Sequence, residues 1–143
     1  MMTLKLNTEN IRYINIFEDI TGTKVKDCIV DNEMNKIIVV VEQGKIGRAI
    51  GKGGSNIKKI KRLLNKNIEI IEYSSDIMEF ITNIMGNICV KNVRILEKNG
   101  KKCVYIEVPQ KEKGIAIGKR GQRIKKVKML LRRNQNIDDV VIS

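Results

Sequence analysis

Gly51-Lys52-Gly53-Gly54 and Gly118-Lys119-Arg120-Gly121 are the residues of this chain whose types and spacing fit a chemical task. Glycines three apart let two short helices meet at a sharp angle, because no Cβ obstructs the joining backbone. They also let a ligand's backbone approach the main chain closely. A helix that begins directly after such a break points its unpaired N–H groups and positive dipole end over the loop. Lys52 in one loop, and Lys119 with Arg120 in the other, add mobile positive charge at that place. Amides and charge for phosphates, with glycines for close approach, suit a phosphodiester backbone. Ser55 stands where a helix cap belongs, and its hydroxyl is equally able to turn toward a phosphate.

The two loops belong to a longer repeat. Gly47–Leu64 and Gly114–Leu131 agree at 12 of 18 aligned positions, 67 residues apart. A match that dense says the chain carries one device twice and divides it into halves of about 70 residues, each with a modest core. The expected domains are 1–72 and 73–143. Charge follows the repeat. Residues 44–66 hold eight Lys/Arg and no Asp/Glu, and residues 111–133 hold ten against the single acid Glu112. The whole chain carries +12, so the rest of it is net acidic. Positive charge gathered on the repeated device marks a polyanion-binding surface. Residues 73–143 hold 15 Lys/Arg against 7 Asp/Glu, and residues 1–72 hold 13 against 9, so the second half is expected to add more to nonspecific affinity.

Other chemistries fit poorly. Gly47 lies four residues before Gly51, and Gly53 follows Lys52, so the spacing and the hydroxyl of a Walker A loop are both missing. No Gly-x-Gly-x-x-Gly fingerprint occurs in either loop. Asp31, Glu33, Asn35 and Glu42 echo a calcium loop, but Lys36 stands where its glycine belongs. The chain has no histidine, which removes the commonest general base. Asp138 and Asp139 are the nearest adjacent acids to a loop and read as turn residues, so no catalytic residue is expected. Cys28, Cys89 and Cys103 include no Cys-x-x-Cys pair and read as three buried free thiols. No metal site, cofactor or small-molecule substrate is expected. No stretch is apolar for the roughly 18 residues of a membrane span, and Met1–Asn10 does not resemble a secretory signal, so a cytoplasmic protein is expected.

Both halves place the loop in the same order of elements. Asn7–Ile20 reads as a helix with Ile11, Ile14, Phe17 and Ile20 on one face. Val25–Val30 and Ile37–Val41 read as a hairpin, Gly44–Ile50 as a short helix, Ser55 to about Leu64 as a second, and Ile68–Ile71 as a strand. In the helix after the loop, Ile57, Ile60 and Leu64 face inward while Lys58, Lys59, Lys61 and Arg62 stay in water. In the second half, Asp76–Met85 reads as a helix capped by Ser75 or Asp76. Ile88–Leu96 and Lys102–Val108 flank Asn99-Gly100, a strong hairpin signal. A short helix, the loop, a helix from Gln122 to about Arg133, and a strand at Val140–Ile142 follow. Glu72–Asp76 is short for a linker, which predicts a fairly rigid pair.

Ile50-Gly51-Lys52-Gly53-Gly54-Ser55-Asn56-Ile57-Lys58-Lys59-Ile60 resembles the signature of the KH domain, a fold that binds RNA and single-stranded DNA. Ile117-Gly118-Lys119-Arg120-Gly121-Gln122-Arg123-Ile124-Lys125-Lys126-Val127 is its second instance. The order αββααβ resembles the type II arrangement, so the resemblance implies an α+β fold with two tandem type II KH domains. Two such domains side by side resemble the NusA-like family of archaeal transcription termination/antitermination factors. Bacterial relatives add an N-terminal polymerase-binding region and an S1 domain, and neither fits in these residues, so any polymerase contact is expected from the KH pair. The resemblance implies single-stranded RNA as partner, with about four unpaired nucleotides across each loop. It also implies RNA polymerase or other elongation components as partners. It implies backbone clamping by Gly51, Lys52, Gly53, Gly54 and Ser55, and by Gly118, Lys119, Arg120 and Gly121. Arg48, Lys58, Arg123 and Lys125 would contact phosphates; Ile50, Ile57, Ile117 and Ile124 would line the groove or its floor. None of the five aromatic residues stands beside a loop, which fits a KH groove better than a stacking platform. KH proteins of ribosome maturation or RNA decay would look alike, and an enzyme acting on nucleotides or RNA is the remoter alternative.

Overall fold

The computed structural model of the protein describes residues 8–143; Asn7, expected to open the first helix, lies outside the described residues. Among them the chain divides after Ser74 into two compact units. The first holds α1 (Thr8–Thr21), β1 (Val25–Asp31), β2 (Lys36–Val41), α2 (Ile46–Ile50), α3 (Ser55–Leu64) and β3 (Asn67–Glu72). The second holds α4 (Ile77–Met85), β4 (Asn92–Lys98), β5 (Lys101–Glu107), α5 (Lys113–Ile117), α6 (Gln122–Gln135) and β6 (Asp139–Ile142). The fold is α+β, and each unit runs αββααβ.

Each unit has one three-stranded sheet, ordered β1-β2-β3 and β4-β5-β6. The hairpin strands are antiparallel, and the third strand runs parallel to the second. A parallel neighbour requires a long crossover. Here that crossover is the pair of helices with the glycine loop between them, so topology places the loop at the corner of the connection. In the β4–β5 hairpin, Asn99 (φ 55°) and Gly100 (φ 79°) both take the left-handed conformation that a type I′ turn demands.

The first unit's core joins Tyr13 and Phe17 of α1 to Cys28, Ile37, Val39, Val41, Ala49, Ile60 and Ile68. The buried stripe of α1 is Asn10, Tyr13, Phe17 and Thr21, one step round from the isoleucine face that the three-residue beat predicts. Ile11 is 45% exposed, while Ile14 and Ile20 flank the core half-buried. The large rings of Tyr13 and Phe17 remove more apolar area from water and win the inward face. Asn10 and Thr21 can follow them because their polar atoms are paired, Asn10 Nδ2 donating to the Cys28 carbonyl (3.0 Å) and Thr21 Oγ1 to that of Phe17 (2.8 Å). In both units a fully buried alanine, Ala49 or Ala116, lets the short helix sit close to its neighbours.

Other elements shift from their expected bounds. The apolar run from Ile88 is not a strand at its start: Gly86 closes α4 at φ 69°, Ile88 is buried in the following loop, and pairing begins at Asn92. Gly44 stands outside α2, donating its N–H to Glu72 Oε2 (2.6 Å). The helix α6 continues past Arg133 to Gln135 before Asn136 ends it in the left-handed conformation, as Asn65 ends α3. Only Cys28 of the three thiols is buried; Cys89 is exposed and Cys103 half-buried. Cys89 lies in the same loop that replaces the expected strand, which removes the neighbours that would have covered it.

Phe17 is 2% exposed at the centre of the first core. Phe17→Ala should destabilise the protein by about 3–5 kcal/mol, read as a lower urea midpoint.

Candidate nucleic-acid interface

The two loops have nearly the same backbone. Gly51 sits at φ 80°, ψ 165° and Gly118 at φ 82°, ψ 169°. Next but one come Gly53 (63°, 20°) and Arg120 (57°, 26°), followed by Gly54 (75°, 18°) and Gly121 (70°, 20°). The same hydrogen bonds close both loops, Gly51 N–H to Gly47 O and Gly54 N–H to Gly51 O, matched by Gly118 to Gly114 and Gly121 to Gly118, all 3.0 Å.

The glycines are not equivalent. A Cβ on Gly51 would lie 2.8 Å from Asn56 Cγ and 2.9 Å from the Asn56 backbone nitrogen. On Gly118 it would lie 2.9 Å from both the backbone nitrogen and Cβ of Arg123. No side chain fits there. Beside the last glycine the space is looser, with Ile57 Cγ2 at 3.6 Å from a Cβ on Gly54 and Ile124 Cγ2 at 3.8 Å from one on Gly121. Gly53 meets nothing, and the second loop has Arg120 at that place.

The helix starts are open. Ser55 does not cap α3: Gly54 is the N-cap residue and makes no side-chain cap hydrogen bond, and Ser55 is already helical. The start of α6 at Gly121 is the same. By contrast, Asp76 caps α4 by accepting from Met78 N–H (3.0 Å). A serine inside the first turn has left the N-cap place from which its hydroxyl would accept from the first-turn amides.

Around each loop the expected residues fall into groups. Arg48, Lys52, Gly53, Ser55, Lys58, Lys119, Arg120 and Lys125 are exposed, and none of the charged ones makes an ion pair among the described residues. Ile50, Gly51, Gly54, Ile57, Gly118, Gly121, Arg123 and Ile124 are half-buried, and Ile117 is 41% exposed. Two of the expected phosphate contacts also have a place within the fold. Arg123 Nη1 donates to the Met85 carbonyl (3.3 Å) at the end of α4. The Arg48 guanidinium lies over Gly22, where a Cβ would stand 3.3 Å from Nη2, beside the carbonyl end of α1.

Two residues near the loops escaped the sequence reading. Asn56 Nδ2 donates to the Arg48 carbonyl (3.1 Å) and ties α3 to α2. Ile115 is 57% exposed at the place that aligns with Arg48, so the second loop has an apolar ledge where the first has a cation. The mismatched positions of the repeat were the available signal for both.

The adjacent acids serve the fold. Asp138 Oδ2 accepts from Lys102 N–H (2.8 Å), and Asp139 Oδ1 pairs with Lys128 Nζ (2.9 Å) and accepts from Val140 N–H (2.9 Å). The hydrogen bond from Lys128, then that from Val140, holds the Asp139 carboxyl below its ordinary pKa, with the Lys128 and Arg132 charges adding to the effect against desolvation. Among the described residues no group of three or more His, Cys, Asp or Glu is arranged to hold a metal ion, and no helix is long and apolar enough to cross a membrane.

Comparison with known proteins agrees with this geometry. A KH-domain family model matches residues 11–78, and a model of the NusA-like second KH domain matches residues 77–140. Fold, loops and matches together define a tandem KH-domain protein. A probable transcription termination protein NusA from Methanococcus vannielii is 42% identical over 123 residues, 86% of this chain and 70% of the relative. One of the same name from Halococcus morrhuae is 31% identical over 142 residues, 99% of this chain and all of the relative. The crystal structure of APE1850 superposes with a TM-score of 0.82 at 40% identity, covering 96% of this chain and 100% of that one. The chain belongs to the NusA-like family of archaeal tandem KH proteins.

Gly51→Ala should lower the thermal midpoint clearly, because the methyl group collides with Asn56 in a left-handed residue. Gly53→Asn, in open space, should leave it nearly unchanged. The Asp139–Lys128 pair should matter only while the aspartate is charged. With its folded pKa depressed, its contribution is complete above the unfolded pKa of about 4 and is lost as pH falls through the lower folded value. Asp139→Asn should therefore be less stable than wild type near neutrality and equal to it in strong acid, as urea melts at several pH values would show.

Proposed function

We propose that the protein binds single-stranded RNA, clamping the phosphodiester backbone at Gly51–Gly54 and at Gly118–Gly121. One observation carries this reading: two loops of unlike sequence at their third position share one backbone geometry and both leave a helix start uncapped. Uncapped N–H groups and unpaired lysines are what phosphate oxygens need. Lys52, Ser55 and Lys58 serve the first clamp, and Lys119, Arg120 and Lys125 the second. Arg48 and Arg123 stand at the margins, each also engaged with the fold. Ile50 and Ile57, with Ile117 and Ile124, offer the apolar surface on which bases rest. The domains 1–72 and 73–143 then carry one clamp each.

The relatives' name places them in transcription termination, and we assign this chain to termination or antitermination in the cytoplasm. Nascent RNA is the ligand, and contact with RNA polymerase or other elongation components is made by the KH pair. The reading is of a binding protein and not an enzyme, since the adjacent acids Asp138 and Asp139 are committed to the β5, α6 and β6 contacts described above.

The test is binding to a labelled single-stranded RNA of about ten nucleotides, long enough for two sites of about four. Lys52→Asp with Gly53→Asp, and Lys119→Asp with Arg120→Asp, should each weaken binding about tenfold or more while circular dichroism stays unchanged. Wild-type affinity should fall steeply with salt, with a log–log slope of about 0.7 per phosphate neutralised. Wild-type affinity in both folded variants would refute the clamps, and an affinity indifferent to salt would refute RNA as the ligand.

A further inference from the structure

The two units share a sheet topology yet treat the hairpin's edge strand in opposite ways. In β1 side chains cover three of the backbone groups that β2 does not pair, all in the first half of the strand. Glu18 Oε2 accepts from Val25 N–H (2.8 Å), Asp27 Oδ1 accepts from Cys28 N–H (2.8 Å), and Asn10 donates to the Cys28 carbonyl (3.0 Å). Asp27 and Cys28 are buried at 3% and 1%. Two of these side chains, Asn10 and Glu18, come from α1, which is 14 residues long.

Among the described residues β4 holds the same edge position in its own sheet. Its unit's first helix has only nine residues, and no side chain bonds to the β4 backbone among the described residues. Six of its seven residues are exposed, including Ile95 at 46% and Leu96 at 50%. Ile95 lies opposite Val104 and Leu96 opposite Cys103, so the two apolar side chains stand on opposite faces. Alternate N–H and C=O groups of an edge strand face outward and form a template for another strand. The hairpin is also basic: Arg94, Lys98, Lys101 and Lys102 outnumber Glu97 and Glu107.

We propose that β4 is a docking edge for an extended acidic and apolar segment of a partner protein, which joins the sheet as a fourth strand. Main-chain hydrogen bonds hold the segment, Ile95 and Leu96 take its apolar side chains on the two faces, and the lysines and arginine take its carboxylates. A polypeptide fits better than a nucleic acid because the edge offers paired donors and acceptors at strand spacing, and β4 bears no aromatic ring for stacking. A second copy of this chain fits poorly, since each copy carries +12. β4 contains no residue of either glycine loop, so the inference stands or falls independently of RNA binding.

The probe is a fluorescein-labelled peptide of alternating glutamate and valine, about eight residues long to match β4 at about 3.3 Å per residue. Two further peptides carry N-methyl groups on alternate amides, one for each edge of the strand. The proposal expects the parent peptide to bind, shifting the β4 amide resonances. It expects at least one methylated form to bind about tenfold more weakly, and Ile95→Glu with Leu96→Glu to do the same to the parent peptide. Equal binding by all three peptides would mean charge attraction alone and overturn it. So would shifts that miss β4, displacement of the peptide from β4 by single-stranded RNA, or sedimentation showing a dimer that the Glu variant abolishes.

Discussion

A Cβ at Gly51 would stand 2.8 Å from the Asn56 side chain, and one at Gly118 would stand 2.9 Å from Arg123. That absence of space holds the second helix of each crossover hard against the end of the first. From it follow the sharp angle between the helices, the left-handed residues that complete the turn, and the outward direction of the first helical amides. The close approach of the two helices also brings Asn56 within reach of the Arg48 carbonyl. A larger residue would move the helix start, and with it every donor that faces the loop.

On that shared backbone the two loops have been furnished differently. The first has glycine at its third position where the second has Arg120, and Arg48 where the second has the exposed Ile115. An arginine in the left-handed region carries some strain, which Gly53 avoids. In return it places a guanidinium at the tip of the second loop. The second site is thus more cationic at its tip and more apolar at its side. A backbone clamp tolerates such variety, since phosphates ask only for donors and charge, while the flanking surface decides which bases rest well.

The edge strands illustrate the same divergence in a different part of the fold. One sheet topology leaves β1 and β4 equally open to pairing. In the first unit a long α1 supplies Asn10 and Glu18 to cover the first half of the edge, with Asp27 from the strand itself. In the second unit the helix is shorter, and six of the seven β4 residues are exposed. Repetition therefore conserved the crossover that carries the loop and released the strand most remote from it in the sheet order.

Much was legible in the residues themselves. Local rules set the loops, since positive φ and close approach select glycine, and they set the Asn99-Gly100 hairpin for the same reason. The repeat announced two units, and the net positive charge gathered in the repeated windows announced where a polyanion would lie. What the chain alone left open was decided by neighbours distant in sequence. Tyr13 and Phe17 turned the buried face of α1 away from its isoleucines because larger rings gained more from the core. Ile88 was drawn into a buried loop and not a strand, which left Cys89 in water. Ser55 lost its capping role to Gly54 because the tight approach at Gly51 started the helix one residue earlier in space than a serine cap would allow. Sequence by itself determined which backbone conformations were possible and where the charge lay. Tertiary packing alone decided which side chains were spent on the fold and which were left facing outward, because burial depends on residues that only the folded chain brings together.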